Sequence, residues 1–326
     1  MPVNYIDLAR TFKSRAEDIG IVQGHRLCPG CGAPIVVKMT LMVAKKLGYE
    51  PIVGLATGCL EVSSTIYPYT AWTVPYIHNA FENVAATMSG VETAAKALKK
   101  FGEIPQDKKY AFIAFAGDGG TYDIGLQSLS GMVERGHKVL YVLYDNEGYM
   151  NTGNQRSGST PPGSNTTTAP VGKKLPGKLQ LKKNIVEIVA AHENVYAATV
   201  SLSDFMDFFS KVEKALNHEG PSFLAAFSPC TRFWRIEDSK TVEISKLAVE
   251  TKYWPLYEVD RGVYRVTRKP REFKPIVEFL KAQGRFKPLL SRPDANEIIE
   301  ELQKYVDARW ERLLALEEAT KGRYLR

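Results

Sequence analysis

The chain has 326 residues, 44% hydrophobic and 24% charged, and its 43 basic and 36 acidic side chains leave a net charge of +7. That balance describes a globular protein with a substantial core. No apolar run approaches the roughly 20 residues that span a bilayer, and the N-terminal stretch MPVNYIDLARTFKSRAED lacks a secretory apolar segment, so a cytoplasmic protein without a membrane partner is expected. The positive charge is spread along the chain without a basic recognition helix, which favours phosphorylated cofactors or acidic electron carriers over nucleic acid.

In chain order, 34–47 (PIVVKMTLMVAKKL) reads as a helix with an apolar face, beginning after a Cys- and Gly-rich turn. Residues 51–56 read as a short buried strand and 81–99 as an Ala-rich helix. YAFIAFA at 110–116 is a strand-length apolar run, followed at once by Gly117-Asp118-Gly119-Gly120 and a helical pattern over 122–134. KVLYVLY at 138–144 is the next strand. Strand, Gly-rich turn, helix, strand is a parallel βαβ unit. The alternation continues with a helix near 184–193, a strand at 195–200, a helix at 203–217 and a strand at 221–227. The expected class is therefore α/β, a parallel sheet with helices on both faces.

Residues 150–182 interrupt this alternation with Gly, Ser, Thr, Pro and Lys, which fits either a functional loop or a disordered insert. After residue 240 come a short helix, the hairpin-like YEVDRGVYRVTRKP and a long helix over about 293–318. The expected division is a cofactor domain over 1–240 and a C-terminal extension over 241–326, packed on the core or on a partner subunit.

Ligands of open α/β sheets bind outside the carboxyl ends of the strands, which is where Gly117-Asp118-Gly119-Gly120 falls. Glycines admit phosphate oxygens close to the backbone, and a helix N-terminus attracts them. An aspartate in such a turn repels phosphate unless a cation lies between, so Asp118 is a candidate Mg²⁺ ligand. At the next strand end, Asn146 offers a side-chain oxygen and Gly148 a backbone oxygen. A GDG turn followed 25–30 residues later by Asn, each after a strand, is the pattern of a thiamine diphosphate site; two ordinary βα turns are the bland reading.

Four cysteines are present: Cys28, Cys31, Cys59 and Cys230. In a reducing compartment they suit a tetrathiolate metal site better than disulfides. Cys28-Pro29-Gly30-Cys31 is a tight turn that aims two sulfurs at one centre. The other two ligands are widely separated, which favours an iron–sulfur cluster embedded in a large domain over a paired zinc site. Cys59, in Thr57-Gly58-Cys59 after the strand at 51–56, is expected on the cofactor side of the sheet.

The segments HRLCPGCGAP (25–34), ATGCLEV (56–62), YPYTAWTVPYIHNAFENVAAT (67–87), GDGGTYDIGLQSLSGMVERG (117–136) and YDNEGYMNTGNQRSGSTPPG (144–163), with YWPLYEVDRG (253–262) and LKAQGRFKPLL (280–290) of the tail, resemble the β subunits of pyruvate:ferredoxin oxidoreductases, nearly end to end. The resemblance implies a thiamine-diphosphate-binding fold holding the cofactor, Mg²⁺ and a [4Fe–4S] cluster. It matches Asp118, Asn146 and the Gly148 carbonyl to the Mg²⁺ ligands, Asn151 to a residue at the thiazolium and substrate, and Cys28, Cys31, Cys59 and Cys230 to the cluster ligands. Gly58, Gly117, Gly119 and Gly120 fall beside the cofactor. The implied reaction is CoA-dependent oxidative decarboxylation of pyruvate to acetyl-CoA and CO₂, with electrons passed to ferredoxin. No glutamate here matches the group that activates the aminopyrimidine ring; in the family it comes from the α subunit. The chain is thus expected to work only with α, together with γ and δ subunits.

His78 and Glu82 read as interface or packing residues, and Tyr67, Tyr69 and Trp72 as core or interface aromatics. Lys173, Lys174, Lys178, Lys182 and Lys183 read as a solvated basic loop, with coenzyme A phosphates or an acidic ferredoxin as the functional alternative. Three rival functions stand beside the main one: the same role toward a branched-chain 2-oxoacid, oxalate or 2-oxoglutarate; a zinc-stabilised binding module; and another thiamine enzyme without iron, such as an acetolactate-synthase-like decarboxylase, against which the four cysteines and the length argue.

Overall fold

The computed structural model describes residues 4–13 and 19–323. The elements run α1 (Tyr5–Lys13), α2 (Gly32–Lys46), β1 (Tyr49–Ala56), α3 (Cys59–Ser64), β2 (Tyr76–Asn79), α4 (Val84–Lys100), β3 (Lys109–Gly117), α5 (Gly119–Tyr122), α6 (Leu126–Glu134) and β4 (Leu140–Asp145). They continue with α7 (Ile185–Ala190), β5 (Tyr196–Ser201), α8 (Phe205–Asn217), β6 (Ser222–Phe227), α9 (Thr231–Trp234), α10 (Thr241–Glu250), β7 (Leu256–Asp260), β8 (Val263–Arg268), α11 (Ile276–Lys281), α12 (Lys287–Leu290) and α13 (Ala295–Thr320).

The strands form one sheet in the order β2-β1-β3-β4-β6-β5-β7-β8. The first six in that order are parallel. Successive strand residues alternate between two cores, as the pleat requires. Ala114, Tyr141, Leu143, Phe223 and Ala225 face one core, shared with Met88 of α4 and Leu129 of α6. Ile113, Phe115, Val142, Leu224 and Ala226 face the other, against Val36 and Val43 of α2 and Phe208 and Val212 of α8. β4, β5 and β6 are buried at every position, which is why their sequences are mostly apolar instead of alternating. Each large apolar side chain buried this way stabilises the fold by roughly 1.5–3 kcal/mol.

The expected parallel sheet is present, and the hairpin expected in the C-terminal extension is added to its edge: β7 runs antiparallel to β5 and β8 antiparallel to β7. The reason is the tight link through Arg261 and Gly262, both at positive φ, since parallel neighbours would need a long crossover. The stretch 76–79 is a strand and 59–64 a helix, although neither was expected. The single helix expected over 122–134 is two, α5 and α6, because the chain turns at Asp123 and Gly125 packs on the Gly120 carbonyl.

The segments after 240 pack on this frame. Phe227 at the end of β6 meets Trp234, Trp254 and Phe279 with ring centroids 5.5, 5.0 and 6.2 Å apart. Tyr253 stacks on Phe279 at 4.6 Å. Among the described residues, no helix is long and apolar enough to cross a membrane.

Candidate cofactor site at the strand ends

The carboxyl ends of β1, β3 and β4 border one cleft of about 330 Å³. Gly58, Cys59, Gly117, Asp118, Gly119, Gly120, Asn146, Gly148 and Asn151 all line it, together with Phe81, Tyr144 and Tyr149. Asn151 lies at its exposed rim. Gly119 and Gly120 open α5, where backbone N–H groups have no intrahelical partner. A Cβ on Gly119 would stand 2.2 Å from the Tyr149 ring, so glycine is needed for this close approach.

Three oxygen-bearing groups converge here. The amide end of Asn146 that faces them is 2.8 Å from Asp118 Oδ1 and 2.9 Å from the Gly148 carbonyl oxygen. With the amide oxygen in that position, three acceptors face one another without a proton among them. Either the amide turns to donate two hydrogen bonds, or a cation takes the place of those protons. The donor set is all oxygen with one carboxylate in direct reach, which fits Mg²⁺ completed by phosphate and water. Burial and the nearby Asp145 charge push the Asp118 carboxyl well above the usual carboxylate range, against the hydrogen bond from Ser157. A divalent cation would remove that penalty by favouring the charged form.

Beneath the cleft lies a buried charge network that the sequence did not reveal. Lys182 Nζ is 2.8 Å from Asp145 Oδ2 and 2.7 Å from Glu147 Oε1. Arg285 Nη2 donates to Glu147 Oε2 at 2.5 Å, and the Tyr253 hydroxyl donates to Glu147. Tyr122 and Ser159 donate to Asp145 at 2.6 and 2.5 Å. Glu147 has φ +66, a costly conformation for a residue with a side chain. Its carboxylate is held by these partners, its N–H donates to Asp145 Oδ1 at 3.2 Å, and its carbonyl accepts from Thr160 at 2.7 Å. Glu147 stands between Asn146 and Gly148, so the network fixes both oxygen donors. Burial opposes the charges of Glu147 and Lys182, but their mutual attraction outweighs it: the acid is lowered and the base raised.

The loop 150–182 is accordingly an ordered cover whose Ser157, Ser159, Thr160 and Lys178 are buried. Ser157 Oγ donates to Asp118 Oδ2 at 2.5 Å. The expected solvated lysine cluster is corrected in part. Lys182 is a buried counter-ion, Lys178 is buried and donates to the Thr160 carbonyl at 2.5 Å, and Lys183 pairs with Asp123 at 3.2 Å. Lys173 and Lys174 remain exposed. The loop lacks apolar periodicity because it packs through hydroxyls and ammonium groups onto carboxylates.

The cysteines come from three segments. The Cys28–Cys31 turn closes with Cys31 N–H to the Cys28 carbonyl at 3.1 Å. It is latched to the segment after β6: Gly32 N–H donates to the Pro229 carbonyl at 3.2 Å and Thr231 Oγ1 to the Pro29 carbonyl at 2.9 Å. Thr241 Oγ1 donates to the Gly30 carbonyl. Gly30 has φ +68, and a Cβ there would stand 2.1 Å from the Asp238 carbonyl oxygen, so only glycine fits. All four thiols are free. Cys59 feels the charges of Cys230, Cys31 and Cys28, and burial is the largest cause of its raised pKa. Cys31 is pushed up to about 12, first by burial and then also by Cys230 and Cys28. Among the described residues, no three of His, Cys, Asp or Glu close on a single ion. The thiols share one neighbourhood, and Cys59 places it against the cleft.

Of the remaining expected residues, His78 Nδ1 pairs with Glu61 at 2.8 Å and the Glu82 carbonyl accepts from Ser128. Trp72 is buried and donates to Ser64 Oγ at 2.8 Å, whereas Tyr67 and Tyr69 are exposed.

Comparison with known proteins adds the following. The family model described as thiamine pyrophosphate enzyme, C-terminal TPP binding domain, matches residues 56–226. Pyruvate synthase subunit PorB of Thermotoga maritima is 82% identical over all of both chains. PorB of Methanocaldococcus jannaschii is 52% identical over 87% of this chain and 93% of that one. Ketoisovalerate oxidoreductase subunit VorB of Pyrococcus abyssi is 45% identical over 90% and 92%. The solved 2-oxoglutarate:ferredoxin oxidoreductase of Magnetococcus marinus, with 2-oxoglutarate, coenzyme A and succinyl-CoA bound, superimposes with a TM-score of 0.52 over 70% of this chain and 79% of that one. At 18% identity it speaks to the fold alone.

Proposed function

Because the chain belongs to the PorB family of pyruvate synthase subunits, with the fold of the thiamine pyrophosphate enzymes, we propose that it is the subunit of a pyruvate:ferredoxin oxidoreductase that holds thiamine diphosphate, Mg²⁺ and a [4Fe–4S] cluster. The observation that carries this reading is the meeting of Asp118, Asn146 and Gly148 around one point, in a cleft that Cys59 also lines.

In this reading Asp118 Oδ1, the Asn146 amide oxygen and the Gly148 carbonyl hold Mg²⁺, and the backbone of Gly117–Gly120 faces the diphosphate. Thiamine diphosphate, when bound, supplies the electron sink for decarboxylating a 2-oxoacid. Lys182, Arg285 and Glu147 keep the oxygen donors aimed without touching substrate. Asn151, at the rim, is placed to meet the 2-oxoacid. Cys28, Cys31, Cys59 and Cys230 ligate the cluster, whose closing on one centre is part of the proposal. Burial favours the neutral thiols of Cys31, Cys59 and Cys230, and iron would reverse this by binding the thiolates. A cluster held by these four cysteines would supply one-electron transfer toward ferredoxin, and coenzyme A would take the acyl group. The α subunit supplies the glutamate this chain lacks, with γ and δ completing the enzyme.

The test is composition. The complex, purified without oxygen, should contain thiamine diphosphate, Mg²⁺, and iron with acid-labile sulfide bound to this chain. Zinc in place of iron, or absence of the cofactor, would overturn the reading. The 45% identity to a ketoisovalerate oxidoreductase subunit motivates a second substrate reading; the 82% identity to a pyruvate synthase subunit favours pyruvate. Assays of the complex with pyruvate and with a branched-chain 2-oxoacid separate them.

A further inference from the structure

Arg285 lies between α11 and α12, and the family resemblance assigns it no role. Its side chain is 3% exposed. Nη2 is bonded to Glu147 and Nε donates to Gln283 Oε1 at 2.9 Å. The guanidinium carbon stands over the Trp234 ring, 3.8 Å from its centroid, and 4.9 Å from the centroid of Phe286. Nη1 is buried and has no hydrogen-bond partner among the described residues. A buried charged donor left without a partner is costly, so such a group calls for a specific use.

Its surroundings suggest that use. Trp234 ends the one-turn helix α9, which Cys230 caps, and the Trp234 N–H donates to the Cys230 carbonyl at 3.0 Å. Gly284 packs so closely that a Cβ would stand 2.6 Å from the Arg235 side chain. The arginine is therefore pinned against the helix that begins at Cys230.

Resting on the reading that the four thiols carry a [4Fe–4S] cluster, we infer that Arg285 is the positioning residue that sets this cluster's reduction potential: its Nη1 serves the sulfur ligands at Cys230 while Nη2 is anchored by Glu147. Reduction adds an electron to an already anionic centre. A buried cation stabilises the reduced state more than the oxidised one and raises the potential, as hydrogen bonds to the sulfurs also do. Glu147 offsets part of that charge. The metal loop and the cluster are thereby joined through one side chain.

The experiment is an EPR-monitored redox titration of the complex purified without oxygen, with iron counted in each sample. Arg285→Met should shift the cluster midpoint to more negative potential. Arg285→Lys, which keeps the charge and loses the planar fork, should shift it less. Glu147→Gln, which leaves the arginine without its counter-charge, should shift it the opposite way, to more positive potential. A structural role alone would not produce shifts of opposite sign. If Arg285→Met does not assemble, Arg285→Lys and Glu147→Gln still decide. Unmoved midpoints in variants that retain iron overturn this inference and leave the cluster reading standing. A wild-type complex without iron on this chain overturns the cluster reading itself.

Discussion

Lys182 and Lys183 are adjacent and chemically identical, yet the structure assigns them very different weights. Lys182 is 8% exposed and sits between two carboxylates that are fully buried; Lys183 is 43% exposed and faces Asp123. At an effective dielectric constant of about 20, each Lys182 contact is worth about 6 kcal/mol of Coulomb attraction, most of it offset by desolvation. Removing one partner of such a buried set typically costs about 3–5 kcal/mol, because the remaining charges stay buried and uncompensated. Unfolding entropy of about 2.1 cal/mol/K per residue gives about 0.7 kcal/mol/K for a chain of this length, so Lys182→Met should lower the apparent Tm by about 4–7 °C. Lys183→Met removes an exposed pair worth about 0–1 kcal/mol and should lower it by less than about 2 °C. The assay is thermal unfolding of the complex at low and at 1 M salt, where the Lys182→Met loss should persist because salt does not screen a buried pair. Equal losses in the two variants would refute the reasoning.

Asp118→Ala should weaken divalent-cation binding more than tenfold, about 1.4 kcal/mol or more, as counted by Mn²⁺ EPR titration; unchanged binding would remove Asp118 from the ligand set. Gly30→Ala should cost about 1–3 kcal/mol and lower the iron content, because the added methyl meets the Asp238 backbone; full iron at wild-type Tm would contradict the close approach. Lys178 is pushed down from 10.5 to about 8, first by burial and then by Arg156 and Lys182. The unfolded chain then holds that proton more tightly, so this group makes the fold gain stability as pH rises from about 8 to 10.5. Denaturant titrations should show wild type improving relative to Lys178→Met across that window, with a constant difference below pH 8; a flat difference throughout would contradict the assignment.

Much of this was legible because local pattern and tertiary role coincide. The runs at 110–116 and 138–144 are apolar since β3 and β4 are covered on both faces, and the glycines and oxygen donors that follow them announce the strand ends. β2 was missed because Tyr76–Asn79 is only four residues long and three of them are partly or fully exposed. The roles of Glu147, Lys182 and Arg285 were missed for a different reason. A charged residue normally lies in water, and nothing local marks one whose partner is 35 or 138 positions away. The split between α5 and α6 was hidden as well, since the packing of Gly125 on Gly120 is a contact and not a periodicity.

The latch between the first thiol pair and the far end of the sheet has a temporal side. Pro29 and Gly30 are held by Thr231 and Thr241, so the loop they belong to has no resting place until those threonines have left the ribosome. Two sulfurs made near the beginning of synthesis must wait, exposed, through most of translation. If the four thiols hold a cluster as proposed, it would be loaded only onto a nearly finished polypeptide, and an interruption before residue 241 would leave a chain that cannot keep it.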